Sequence, residues 1–180
     1  MAGKRQNKEK LNRTLEKVCS ILHIEGIKDW CIMYGTLLGI VRENGCIEGD
    51  DDIDIIINYD CSSIKSIFRK YNFHFYWKLA GTPPSFRKGK KIAKTKPTSS
   101  LSSVDFYISD VNHEGTFDVT YMKNKISNCY VDLNKKTFVE KSWKSTTLHL
   151  PNDYESKLVS MYGHDWRTPK SGMCPTDFDF

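Results

Sequence analysis

Residues 34–57 read YGTLLGIVRENGCIEGDDDIDIII, and the reading of this stretch decides the fold. Four carboxylates crowd positions 50–54 (Asp50, Asp51, Asp52 and Asp54), and Ile55, Ile56 and Ile57 follow at once. Like charges repel one another and resist burial, whereas an isoleucine run belongs in a core. Along a strand, residues two apart point to the same face. That period places Asp52 and Asp54 on one side, roughly 7 Å apart by strand rise, with Ile53, Ile55 and Ile57 on the other. Asp50 joins the acidic face if the strand reaches it, and Asp51 is left as a bystander.

Upstream, Trp30–Tyr34 (WCIMY) is short and apolar and reads as a buried strand broken by Gly35. Thr36 is placed to cap a helix through about Arg42, and Glu43-Asn44-Gly45 supplies turn chemistry to end it. Before this, Leu11, Leu15, Val18 and Leu22 form one apolar stripe, which predicts a helix over 8–24. Beyond it, a helix is expected at 62–70 and strands at 72–79, 101–108, 116–122 and 129–133. Residues 80–100 combine Gly-Thr-Pro-Pro with the lysines at 88, 90, 91, 94 and 96, and read as a long loop, either a solvated segment or a lid over a charged substrate. In PNDYESKLVSMYG, Asn152 and Glu155 have the spacing of a capping box, Leu158 and Met161 face inward, and Gly163 is the stop. The order α-β-α-β-α-β-loop-β-β-β-α has no internal repeat. It predicts an α/β (α+β) fold, a mixed sheet flanked by helices, in a single domain. The domain is expected over 11–170, between a basic tail at 1–10 and a C-terminal tail at 171–180.

The bulk properties agree with one globular domain: 180 residues, 39% hydrophobic, net charge +5. The basic segments 1–10 and 87–96 suit phosphorylated ligands, while no RNP, zinc-finger or KH pattern points to nucleic acid. The six cysteines form no CxxC and no Cys/His zinc spacing, and read as scattered buried thiols. The N-terminus lacks a signal-peptide core, and no apolar run is long enough to span a membrane. A cytoplasmic protein is the expectation.

The acidic face needs a partner. A divalent cation resolves the repulsion, and Mg²⁺ (or Mn²⁺) prefers carboxylate oxygens while keeping waters. A third carboxylate is offered by Val104-Asp105-Phe106 or by Phe117-Asp118-Val119, with Asp105 preferred. A calcium loop of EF-hand type is excluded, because its sixth and twelfth positions hold Ile55 and Cys61 instead of Gly and Glu. A solvated acidic turn is the competing reading. Gly35-Thr36 favours the metal: a strand ending in Gly-Thr and opening a helix presents amides to a phosphate. Arg42 is either a phosphate contact or a counter-charge to the acidic cluster. The order of strand, Gly-Thr, helix, Asp-x-Asp strand and later Asp strand matches the nucleotidyltransferase superfamily layout.

The segment 34–55 resembles more closely the signature of the LicD/fukutin family, roughly YGTLLGxxRxxGxIPWDxDxDI. Tyr34, Gly35, Thr36, Leu37, Leu38, Gly39, Arg42, Gly45, Ile47, Asp50, Asp52, Asp54 and Ile55 all fit. Where the family has Pro-Trp, this chain has Glu48-Gly49. Val104-Asp105-Phe106 and LPNDYESKLVSMYGHDWRTP (150–169) resemble the family's later motifs. The resemblance implies an enzyme that moves a phospho-alcohol, phosphocholine or a phospho-alditol, from a CDP-linked donor to a hydroxyl of a glycan or similar acceptor. It also implies that Asp52, Asp54 and Asp105 bind Mg²⁺ and carry the catalysis, with Asp50 joining them. Gly35, Thr36 and Arg42 would contact the nucleotide or its phosphates, and Asp105 would accept the acceptor's proton. The alternatives are transfer of NMP from an NTP, and an inactive binding module of the same fold.

Overall fold

The computed structural model describes residues 5–76 and 92–169. The chain opens with helix α1 (Lys8–Ile24), whose N-cap Asn7 accepts from the Lys10 amide at 2.9 Å. The stripe of Leu11, Leu15, Val18 and Leu22 is fully buried. Truncating any one of these leucines to alanine costs about 2–5 kcal/mol. Ahead of the helix, the Gln6 amide donates to Asp50 O (2.9 Å), and Gly49 N donates to Gln6 O (3.0 Å). The segment before α1 thus pins the turn that carries Asp50.

Strand β1 (Trp30–Ile32) leads into helix α2 (Tyr34–Glu43), which packs on strand β2 (Asp52–Ile57). Helix α3 (Cys61–Lys70) follows, capped by the Asp60 carboxylate. Strands β3 (Ile92–Lys94) and β4 (Ser103–Ile108) complete a mixed sheet of order β1-β2-β4-β3. The β2/β4 pair is parallel and the two outer pairs are antiparallel. Strands β5 (Asp110–Val111), β6 (Phe117–Val119) and β7 (Asn124–Ile126) make a second sheet. A hairpin of β8 (Val139–Trp143) and β9 (Thr146–Leu150) makes a third. Helix α4 (Tyr154–Tyr162) ends at Gly163, with φ +84°.

Ile53, Ile55 and Ile57 are fully buried, as the alternation requires, and Ile56 on the other face is buried too. β2 is therefore covered on both sides, and its carboxylates are set into the protein instead of lying on a wet face.

Several expectations are corrected. Thr36 caps nothing: α2 starts two residues earlier, and its N-cap is Met33, without a side-chain bond. Asp153, in a left-handed conformation, takes the N-cap position expected of Asn152. Residues 129–133 form no ladder strand; Asp132 makes only an isolated bridge to Thr137. In the described part of the expected strand at 72–79, residues 72–76, there is a bridge between Phe75 and Thr95 and no ladder strand. Residues 77–79, the part of the expected loop through 91 with Lys88, Lys90 and Lys91, and the tail 171–180 lie outside the described residues. Within the expected loop, residues 92–94 form β3. Among the described cysteines Cys19, Cys31, Cys46 and Cys129 are buried free thiols and Cys61 is half-buried. No helix among the described residues is long and apolar enough to cross a membrane.

Candidate active site

The sheet register builds the acidic site. Parallel pairing sets Asp54 opposite Asp105 and Asp52 opposite Ser103, while antiparallel pairing sets Lys94 opposite Asp105. Residues paired across strands share a face, so Asp52, Asp54, Asp105 and Lys94 project together. Asp118, the reserve candidate, lies on β6 in the other sheet, opposite Asp110. The strand stops at Asp52, so the alternation does not govern the residues before it. Asp50 and Asp51 reach the site from the turn held by Gln6, and the Asp51 amide donates to Asp50 Oδ1 at 3.0 Å.

These groups open onto a cleft lined by Tyr34, Gly35, Asp50, Asp51, Asp52, Asp54, Tyr107, Met122, Met161 and Tyr162. Its cavity is about 150 Å³, smaller than the roughly 300–1,000 Å³ usual for sites that enclose a drug-sized ligand. Asp105 is not part of the lining. It stands behind, 6% exposed, next to Lys94. The Lys94 ammonium donates to Asp52 Oδ2 at 2.7 Å and to Asp105 Oδ2 at 2.9 Å. It is also 2.9 Å from Asp105 Oδ1, a buried oxygen that receives no hydrogen bond. Tyr107 is two residues beyond Asp105 on the same face, and its hydroxyl donates to Asp54 Oδ1 at 3.2 Å.

Burial sets the electrostatics. It pushes Asp50 up to about 7, aided by the charges of Asp52 and Asp51 and opposed by the bond from the Asp51 amide. It lifts Asp54 well above the carboxylate range, with Asp52, Asp105 and Asp50 adding to it. Asp52 and Asp105 are raised by burial as well, but Lys94 pulls both back. Burial works against the Lys94 ammonium, yet Asp105 and Asp52 together raise it above the ordinary lysine value. Among the described residues, five carboxylates thus meet one ammonium, that of Lys94, an excess of acidic groups that a hard divalent ion would neutralise. One oxygen from each of Asp50, Asp51 and Asp52 lies within 4.8 Å of the others. That donor set suits a single small cation that keeps part of its water shell.

The glycine at 35 is needed for space. A Cβ there would stand 2.6 Å from Asp50 Oδ2. Helix geometry leaves the first amides of α2 without intrahelical acceptors, and Gly35 brings that end to the cleft. Tyr34 enters the helix with φ +51°, a left-handed backbone that tyrosine adopts at a cost. Its ring packs edge-on against Tyr107, centroids 5.3 Å apart.

The other two residues expected at the substrate lie elsewhere. Thr36 is 1% exposed, and its Oγ1 accepts from the Asp54 amide at 2.9 Å, which ties α2 to β2. Arg42 is in the last turn of α2, where its guanidinium bonds Glu43 Oε1 at 2.6 Å and 3.2 Å. Neither lines the cleft. The sequence pattern gives Asp51 no role, places Lys94 only in a solvated loop or lid, gives Met161 only an inward position, and does not single out Tyr107, Met122 or Tyr162 for the site. Tyr107 carried a signal, since its spacing from Asp105 puts it on the acidic face. The methionines and Tyr162 come from distant elements and carried none.

A model of the LicD/FKTN/FKRP nucleotidyltransferase domain matches residues 27–157, a span that contains all five carboxylates and Lys94. No curated protein matches the chain. Among solved structures, the lincosamide antibiotic adenylyltransferase LnuA, with lincomycin bound, is similar in fold, with a TM-score of 0.52. The two are 13% identical, over 85% of this chain and 87% of that one.

Proposed function

The chain belongs to the LicD/FKTN/FKRP nucleotidyltransferase-domain family, and on that premise we propose that it transfers a phospho-alcohol from a CDP-linked donor to an acceptor hydroxyl. The observation that carries this reading is the carboxylate cluster, half-buried at Asp50, Asp51 and Asp52 and buried at Asp54, that opens onto a cleft at the start of α2 beside Gly35. In the reaction, the acceptor oxygen attacks the phosphorus that bears the alcohol. The bond from that phosphorus to the bridging oxygen breaks, and CMP leaves with the electron pair.

Asp50, Asp51, Asp52 and Asp54 are the residues that would hold a divalent ion, and such an ion when bound would neutralise the diphosphate and the departing CMP. Gly35 keeps the room that a side chain would take, so the donor's phosphates approach the amides of α2. Thr36 fixes Asp54 against the helix and so keeps the carboxylates in register with those amides. Tyr34, Tyr107 and Tyr162, with Met122 and Met161, line the cleft beside the carboxylates with aromatic and thioether surface against which the donor would lie. The acceptor's proton goes to a carboxylate facing the cleft. Asp54 takes that role in this reading, because Asp105 stands behind the lining.

Calorimetry with CDP-choline, CDP-ribitol, CDP-glycerol, CTP and ATP, each with Mg²⁺, tests the proposal. Tighter binding of a CDP-alcohol than of either triphosphate supports it. A preference for a triphosphate moves the assignment to nucleotidyl transfer, the reaction named for the structural neighbour. No binding by any of the five, with Asp54→Asn indistinguishable from wild type, leaves an inactive binding module.

A further inference from the structure

We propose that Lys94 serves as a built-in second cation of the site, so that the carboxylates take one divalent ion, on the cleft side, and not two. The inference rests on the metal-dependent reading above and names what that reading leaves open, the number of ions. Paired metal ions in phosphoryl-transfer sites sit about 3.5–4 Å apart and share a bridging carboxylate. Here Asp52 is placed to bridge. It faces the cleft beside Asp50 and Asp51, and its Oδ2 is 2.7 Å from the Lys94 ammonium. On the far side of that ammonium is Asp105, with both oxygens at 2.9 Å. The position between Asp52 and Asp105 is therefore already filled by positive charge.

Lys94 is not a surface lysine folded in by chance. Its strand pairs Lys94 with Asp105 in register. Its carbonyl accepts from Tyr76 N at 3.0 Å, and Thr95 N bonds Val104 O at 2.9 Å, so the backbone is held at the residue and just after it. Thr95 is fully buried, and its Oγ1 accepts from Val104 N at 2.8 Å. From that anchor the side chain spans β4 to reach Asp52 on β2. An ammonium serves where a metal would otherwise sit because it is a compact charge with three donors. Two of those donors are used, on Asp52 Oδ2 and Asp105 Oδ2, while Asp105 Oδ1, buried and 2.9 Å away, is in ion-pair contact with the ammonium but takes no hydrogen bond. A divalent ion at Asp105 would have to displace Lys94 or share the space with it against their mutual repulsion.

Mn²⁺ titration read by electron paramagnetic resonance and by equilibrium dialysis tests the assignment without reference to activity. The wild-type protein is expected to bind one Mn²⁺ at the cluster, with an uncoupled signal. Lys94→Ala is expected to bind a second, with the broadening of a spin-coupled pair, and Lys94→Arg to stay at one. Two coupled ions in the wild type overturn the inference while leaving metal dependence standing. A single ion in a folded Lys94→Ala protein overturns it too. No Mn²⁺ bound by the wild type overturns the metal-dependent reading and this assignment with it. If Lys94→Ala does not fold, Lys94→Met, which keeps the bulk without the charge, takes its place, and a single ion bound by it overturns the inference.

Discussion

Replacing Gly35 by alanine separates the site from the fold. The new Cβ would lie 2.6 Å from Asp50 Oδ2, 3.5 Å from its Cγ and 3.7 Å from its Oδ1. Ordinary contact begins at 3.4 Å, so the carboxylate oxygen must retreat by about 0.8 Å, the difference of the two distances. The obstacle is the end of a rotatable side chain, so the backbone need not move. Alanine also gains about 1 kcal/mol over glycine in a helix. Net stability should change by no more than about 1 kcal/mol, which for a chain of this length is a shift of about 2–4 °C in melting temperature. The proposed metal site would fare worse. Ligand distances in such sites hold to about 0.2 Å, so the shift removes Asp50 as a ligand, and Mn²⁺ affinity should fall by at least about tenfold. Gly39→Ala is the control. Its Cβ would meet Gly45 O at 2.6 Å, Ile47 N at 3.0 Å and Cys46 Cα at 3.1 Å, all backbone. It should lose about 1–3 kcal/mol or more while the folded fraction binds Mn²⁺ normally. Calorimetric melts and Mn²⁺ titrations on both variants make the comparison. Wild-type Mn²⁺ affinity in Gly35→Ala would refute the reasoning, because Asp50 would then be no ligand or the contact not real.

Other substitutions test neighbouring parts of the account. Thr36→Val removes the acceptor of the buried Asp54 amide and should cost about 1–3 kcal/mol, whereas Thr36→Ser should restore most of it; equal melting temperatures for the two would show that the bond does not hold β2. His149 is stacked on Trp30 at 4.4 Å and on Phe138 at 5.6 Å, and its pKa is held below 6.5 by burial and then by His23. A depressed pKa contributes stability that is whole above pH 6.5 and is lost as the pH falls through the folded value. The wild type should therefore lose stability between pH 7.5 and 5.5 more steeply than His149→Phe does, in urea melts at each pH, and parallel slopes would contradict this.

How far the sequence reveals the site depends on where a simple period applies. Within β2 the alternation holds, and it sorts Asp52 and Asp54 from Ile53, Ile55 and Ile57 correctly. Before Asp52 there is no strand, so the same rule does not reach Asp51, which the turn brings beside Asp50 and Asp52. The stripe of α1 was legible because one face of a long helix meets one core. Lys94 was hidden by its surroundings: a three-residue strand among lysines, glycines and prolines has too little periodicity to outweigh that composition. Its partners are fixed by strand pairing, which sequence spacing does not encode. The hairpin of β8 and β9 is marked in the sequence by Trp143 and Leu148, which are buried. Glu48-Gly49 departs from the family signature for a local reason. Gly49 has φ +83°, and Glu48 accepts from the Lys8 amide at 2.8 Å, so this turn is built to meet the chain before α1.

The most direct test of the central claim is the identity of the leaving group. The protein is incubated with Mg²⁺, a mixture of glycans as acceptors, and in turn CDP-choline, CDP-ribitol, CDP-glycerol, CTP and ATP, and the nucleotide products are separated. The account predicts CMP from at least one CDP-alcohol, lost on chelation of the metal and in Asp54→Asn. Pyrophosphate from CTP or ATP, with no CMP from any CDP-alcohol, would contradict it.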